Sequence, residues 1–325
     1  MSNTISWQES PVKKRLEAHL PGEIPILPMR RYVSVVILRE FDSTAVLTTE
    51  GQTLDVEMVR SGRKYAEPIS RVLLQKRKQV APERRTGRAF NRDRSLGEGC
   101  DFMRSMCGKC PDCLIYGFAA TSGEGAHRSR VLTDSGFAIR PYEAMHRSIT
   151  LNAIDDSTKG GVSGSAFAER EHIRPQVFFP TIETVVDVTP AEFLYVLRNI
   201  LTTTRYGAES NRQGFVNNHV VALLFGHSEL ISNLYLTQGV YDRLREKGGE
   251  RFHEFPLERS EVQEAVMDVL EEEAKRSYLP VDVCAGEELA ALLDGVRDLW
   301  RNEEASEEWL QELENDQKAY LAKLK

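Results

Sequence analysis

Hydrophobic positions along the chain change period several times, and each change marks a predicted element. "YVSVVILREF", Tyr32 to Phe41, is apolar and β-branched on both faces, the composition of a strand buried on two sides. "QVFFPTIETVVDV", Gln176 to Val188, alternates instead and places Phe178, Ile182 and Val186 on one face; Pro180 in its middle predicts an edge position or a bulge. The period then lengthens in "TPAEFLYVLRNILTTT", a helix with Thr189 as N-cap, Pro190 as its first residue and Glu192 closing a capping box. Its apolar stripe is Phe193, Val196, Leu197, Ile200 and Leu201. "NNHVVALLF" reads as one more strand, and beyond about residue 230 the pattern is helical and acidic to the end, without repeats or low-complexity tracts.

Two connections between these elements are too specialised for plain turns. "TTTRYGAESNRQGF", Thr202 to Phe215, sets Arg205, Tyr206, Asn211, Arg212 and Gln213 around Gly207 and Gly214. Glycines let backbone N–H groups approach a phosphate, and the flanking donors clamp it from the side. "NAIDDSTKGGVSGSAFAEREHIRP", Asn152 to Pro175, follows a strand-like "RSITL" and returns to a strand. Its centre, Gly160, Gly161, Val162, Ser163 and Gly164, is unable to pack a core, which predicts a projecting β-hairpin, with Phe167 an apolar wedge near its return. Strand, interrupted crossover, strand, helix, strand makes an α+β fold. It is compatible with a ferredoxin-like or RNA-recognition-type core carrying large insertions. On this reading residues 30–45 and 114–230 form the core, 46–113 an insertion and 231–325 a helical region.

Charge sharpens the picture of the insertion. The net charge is −7, yet residues 60–94 hold twelve Lys/Arg against three Asp/Glu, while residues 246–325 hold ten against twenty-two. A basic segment in an acidic chain is the footprint of a polyanion track, and the acidic end is excluded from it. Arg84, Arg85, Arg88, Arg92 and Arg94 surround Phe90 in a weakly periodic, glycine-containing stretch, which reads as a mobile loop offering phosphate and base contacts. No run of eighteen apolar residues occurs, which excludes a membrane-spanning helix, and the first residues lack a signal-peptide pattern, so the chain is expected in the cytoplasm.

In that reducing compartment clustered cysteines point to a metal rather than to disulfides. "CDFMRSMCGKCPDC" holds Cys100, Cys107, Cys110 and Cys113, four of the five cysteines in the chain. Four thiolates suit Zn2+, and an iron–sulfur cluster also takes four; a redox or uncoordinated role is a third reading. His127 is a possible substitute ligand. With no open coordination position, the site is expected to staple a loop too poor in apolar residues to fold alone.

The order of "CGKCPDCLIYGFAA", "HRSRVLTDSGFAI", "ITLNAIDDSTKGGVSGSAFAEREHIRPQVFFP" and "ILTTTRYGAESNRQGFV" resembles the repeat-associated mysterious protein superfamily. Within it the chain is most similar to the backbone subunit of the type I-D CRISPR effector complex (Cascade), the Csc-two branch of the Cas-seven family, over roughly residues 30–240. The resemblance implies an RNA-recognition-like palm that binds CRISPR guide RNA, copies of the chain stacked head to tail along the guide, and contacts with the target strand and other subunits of the complex. It also implies that the hairpin is a thumb inserted between segments of the guide–target duplex, and that "YGAESNRQG" is the glycine-rich RNA-binding loop, although it lacks the denser glycine pattern of the family. The acidic helices after residue 240 have no counterpart in that pattern.

An enzyme is the alternative. Some members of the superfamily cut the target strand with a metal and an acidic residue after the first core strand, and Asp42 follows "YVSVVILREF" here; Asp55 is a second candidate. "FDST" is also an ordinary turn. No Ser-His-Asp, Cys-His or H-E-x-x-H arrangement supports other chemistry, and no helix–turn–helix or C2H2 spacing supports a zinc-containing transcription factor.

Overall fold

The computed structural model describes residues 6–49, 51–97, 99–102, 104–119, 125–150, 169–209, 211–249, 252 and 256–324. The centre of the fold is a six-stranded antiparallel sheet in which Tyr32–Phe41 is flanked by Val177–Val186 on one side and Gly214–Gly226 on the other. Val131–Thr133 extends the sheet beyond Val177–Val186, and the short strands Arg205–Tyr206 and Asp282–Ala285 both pair with the outer side of Gly214–Gly226.

Tyr32–Phe41 is apolar on both faces because both are covered by helices. Val33, Val35 and Ile37 face a core built with Pro190–Thr202, Lys76–Asp93 and the helices Gly286–Arg301 and Glu303–Lys323. Val36 and Leu38 face the opposite core, built with Asn233–Gly248 and Arg259–Arg276. A third cluster, with Phe41, Phe179, Ile173, Val216 and Tyr206, closes the Phe41 end of the sheet.

Several elements fall where the pattern places them. Thr189 caps Pro190–Thr202 and the box with Glu192 is complete. Pro180 pairs with Leu38 on one side, and the second neighbour joins only at Glu183, so the proline sits where the strand is an edge. His146–Thr150 and Glu169–Ile173 pair as the base of the expected hairpin. Its central residues, including Gly160, Gly161, Val162, Ser163, Gly164 and Phe167, lie outside the described residues.

Two expectations are corrected. The basic stretch is no mobile loop: Lys76–Asp93 is a helix despite Pro82, because Gln79, Pro82, Glu83, Gly87, Phe90 and Asn91 recur at helical spacing and are buried. Phe90 stacks on Trp309 instead of offering itself to a base. The C-terminal region is not purely helical either, since Asp282–Ala285 adds to the main sheet and buries Cys284. Its last two helices share the first core with the sheet, where Trp309 is buried and its Nε1 donates to the Ala191 carbonyl at 3.1 Å.

Candidate metal centre and nucleic-acid interface

The four cysteines converge through local backbone geometry. Cys110 is the N-cap of the short helix Pro111–Tyr116, which delivers Cys113 one turn later, and Gly108 at φ +67° turns the chain between Cys107 and Cys110. Gly97 is required by packing: a Cβ there would lie 2.4 Å from the Cys110 Cβ. The sulfurs stand at 3.5 Å (Cys100–Cys113), 3.7 Å (Cys110–Cys100) and 3.9 Å (Cys107–Cys113), and all four lie within 4.8 Å of one another. Tetrahedral thiolates about 2.3 Å from one ion stand about 3.8 Å apart, so this group can hold a metal ion with little rearrangement. The N–H groups of Lys109 and Cys110 donate to Cys107 Sγ at 3.4 and 3.3 Å, stabilising a thiolate there. Hydrogen bonds with Cys100, Cys110 and Cys113 hold the Cys107 thiol far below its usual range, and those of Cys110 with Cys100, Cys107 and Cys113 push it up. His127 is engaged elsewhere, with Nε2 3.0 Å from the Tyr320 hydroxyl.

Asp112, fully buried beside the centre, binds it to the basic helix. Arg84 donates to both its carboxylate oxygens at 2.9 and 2.8 Å and to the Gly117 carbonyl at 2.9 Å, and Arg88 joins at 3.1 Å. Both arginines are thus engaged inside the protein, whereas Arg85 is exposed. No motif in the sequence assigns Asp112 a role, although an acidic residue between ligands and opposite an Arg-rich segment is a usable signal.

Glu83 anchors the same helix to the sheet. Arg39, fully buried, pairs with Glu83 at 2.9 Å and with Glu183 at 3.6 Å, and donates to Thr181 Oγ1, the Tyr206 hydroxyl and Asn218 Oδ1. Tyr206 in turn donates to Glu83 at 2.9 Å. Tyr206 therefore belongs to the core and not to a ligand surface, a correction that follows from its complete burial.

The loop after Tyr206 packs on the segment that follows the first strand. A Cβ at Gly207, φ +127°, would lie 2.8 Å from the Val46 carbonyl, and one at Gly214 would lie 2.6 Å from the Ala45 Cβ. The glycines allow protein backbone, rather than phosphate, to approach. Arg205 is exposed, with its guanidinium 5.5 Å from the Phe215 ring centre. Arg212 pairs with Glu209 at 2.6 Å, Gln213 is half-buried and Asn211 exposed. Glu209 also lies 3.4 Å from Arg170 in the hairpin base, so loop and hairpin stand side by side. Thr203 bonds to Thr86 at 2.7 Å, bringing the basic helix to the same place. Asp42 is exposed, its N–H donating to the Phe215 carbonyl, and Asp55 accepts from Thr49. Among the described residues the four cysteines are the only group of His, Cys, Asp and Glu side chains placed to hold a metal, so neither aspartate joins a carboxylate site.

This is an α+β protein with a closed four-thiol centre, and with cationic side chains, a glycine-bearing loop and a hairpin gathered around one end of its sheet. The chain belongs to the Csc2 CRISPR family, whose model, described as "Csc2 Crispr", matches residues 18–310. The match includes most of the acidic helices after residue 240, for which the sequence pattern offers no counterpart. The crystal structure of Thermofilum pendens Csc2 is similar with a TM-score of 0.58 and 20% identity over 95% of each chain. A chain of a CRISPR RNA-guided surveillance complex matches with TM-score 0.50 and 9% identity over 78% of this chain and 87% of that one. A chain of such a complex in a pre-nicking state gives 0.53 and 8% over 82% and 99%. At these identities the likeness is one of fold. No curated relative matches the chain.

Proposed function

We propose that the chain is the guide-RNA-binding backbone subunit of a type I-D CRISPR effector complex, several copies of which stack head to tail along the guide and support pairing with the target strand in the cytoplasm. The observation that carries this reading is the family match over residues 18–310. The core supports it: the strands Tyr32–Phe41, Val131–Thr133, Val177–Val186 and Gly214–Gly226 lie in the order fourth, first, third, second. With Lys76–Asp93 and Pro190–Thr202 on one face, this order supports a ferredoxin-like, RNA-recognition-type core.

Guide base pairing reads sequence, so the protein's task is to hold phosphate, sugar and shape. Arg85, Arg205 and Arg212, with Asn211 and Gln213, supply donors for this at the Phe41 end of the sheet. Arg84 and Arg88 act by fixing the helix that carries Arg85. The stretch of about residues 152–175, which leaves and re-enters through the paired strands His146–Thr150 and Glu169–Ile173, serves as the thumb. A head-to-tail contact whose rotation does not close yields a filament. The cysteine centre holds one Zn2+ as a structural ion.

The test is co-expression with a guide array, followed by measurement of the ultraviolet absorbance ratio and the length of co-purifying RNA. A ribonucleoprotein of defined RNA length is expected; nucleic-acid-free protein would sink the reading. Arg85→Gln or Arg212→Gln should weaken binding equally for guides of different sequence and reduce the slope of log affinity against log salt by about one.

A further inference from the structure

We propose that Phe102, on the turn between the first two metal ligands, is a stacking platform for a base of single-stranded RNA. This rests on the guide-binding reading and adds a contact site to it. Single exposed apolar side chains are common and need no explanation. Phe102 differs in how it is held. It is 65% exposed, yet its turn is closed by reciprocal backbone hydrogen bonds between Asp101 and Ser105, at 2.9 and 3.0 Å, and by the Arg104 N–H donating to the Asp101 carboxylate at 3.1 Å. Cys100 and Cys107 of the four-thiol group flank the turn. A ring displayed on a pinned turn loses little freedom on binding, which is the condition for an aromatic contact to contribute affinity.

The electrostatics select the partner. The Arg88 guanidinium lies 5.8 Å from the Phe102 ring centre, and Arg88 is itself fixed by Asp112 at 3.1 Å. Arg104 and Lys109 on the same loop are exposed, as are Arg85 and Arg92 on the adjoining helix. An aromatic ring next to a guanidinium and among exposed cations matches a polyanion whose monomers each present a π-face. Stacking also tolerates any base, as a protein that must accept guides of every sequence requires.

The experiment uses the full chain and a set of single-stranded RNAs carrying 5-iodouridine at successive positions, with photocrosslinking, peptide mapping and affinity measurement. Phe102 is expected to crosslink. Phe102→Ala and Phe102→Leu should weaken binding by on the order of tenfold, while Phe102→Tyr retains it, and all three should keep the metal content of the parent. Because leucine preserves apolar area and removes the π-face, full binding by Phe102→Leu overturns the proposal in favour of an apolar contact. A parent that binds RNA without a crosslink at Phe102, and with no loss in Phe102→Ala, overturns this inference alone. A change in self-association with RNA affinity unaltered assigns Phe102 to a protein contact and also overturns it. A parent that fails to bind RNA overturns both this proposal and the guide-binding reading.

Discussion

Arg39→Met tests how much of the fold depends on one buried charge. The guanidinium is fully buried between Glu83 at 2.9 Å and Glu183 at 3.6 Å, and neutral donors and acceptors from Thr181, Tyr206 and Asn218 complete its shell. Methionine fills most of the volume and removes the charge, leaving two carboxylates facing each other in a low-dielectric interior. Breaking a buried pair from one side costs about 3–5 kcal/mol, a large share of the roughly 5–15 kcal/mol that keeps a domain folded. Adding Glu83→Gln removes one of the stranded charges, so the double variant should regain about 1–3 kcal/mol over Arg39→Met.

The pH dependence has a definite sign. Burial, followed by repulsion from Glu83, holds the Glu183 carboxyl well above the ordinary carboxylate range. The native state therefore keeps a proton that the unfolded chain releases, and stability falls as pH rises above that ordinary range. Arg39→Met removes the cation opposing the shift, so its deficit should widen with pH. Urea unfolding of parent, single and double variants at several pH values measures all of this. A loss under about 1 kcal/mol, or a double variant no better than the single, would refute the assignment of Arg39 as the charge that neutralises this interior.

The remaining predictions concern the centre, one acid and one glycine. Cys110→Ala should release the bound metal and cost amide protection over roughly residues 95–118 while the main sheet stays protected; hydrogen exchange with unchanged protection there would contradict a structural ion. Asp316→Asn should raise stability at neutral pH, because burial lifts the Asp316 carboxyl from 3.8 to about 6 despite the hydrogen bond it accepts from Thr189. The parent's decline between those two pH values should flatten in the variant, and a parallel pair of pH profiles would count against the assignment. Gly207→Ala should destabilise by about 1–3 kcal/mol because its φ is +127° and an added Cβ would lie 2.8 Å from the Val46 carbonyl; an unchanged midpoint would mean that the glycine does not serve packing.

Local signals were legible wherever the sequence spacing itself creates the structure. Tyr32–Phe41 and the Thr189–Glu192 box are recognisable because strand burial and helix capping are encoded within a dozen residues, and the cysteines because metal ligation demands a spacing. The helix Lys76–Asp93 was obscured by Pro82 and a crowd of like charges, and it stands because Glu83 and Arg84 find partners far away in sequence. Asp282–Ala285 is four residues whose strand character comes from the open side of Ala222–Phe225, a non-local pairing that no period reveals. Tyr206 and Gly207 look like ligand-facing residues in sequence, and only tertiary contacts with Glu83 and Val46 show that they face the protein.

Those same distant contacts join the centre to the loop in one unbroken series. Cys110 caps the short helix that carries Asp112; Asp112 holds Arg84 and Arg88; the neighbouring Glu83 is shared by Arg39 and Tyr206; and Tyr206 opens the loop that carries Arg212. A helix with a proline inside and repelling arginines on its surface has weak intrinsic preference for one position. Buried ion pairs add little net stability, yet each has a narrow geometric optimum, so pairs engaging Glu83 on the sheet side and Arg84 and Arg88 on the metal side leave the helix one register. Arg85 between them is then displayed at a fixed distance from Arg205 and Arg212. On the proposed reading, a backbone of phosphates at regular spacing requires that constancy of a protein that does not read bases, and the four-thiol centre and the acidic interior supply it to the basic surface.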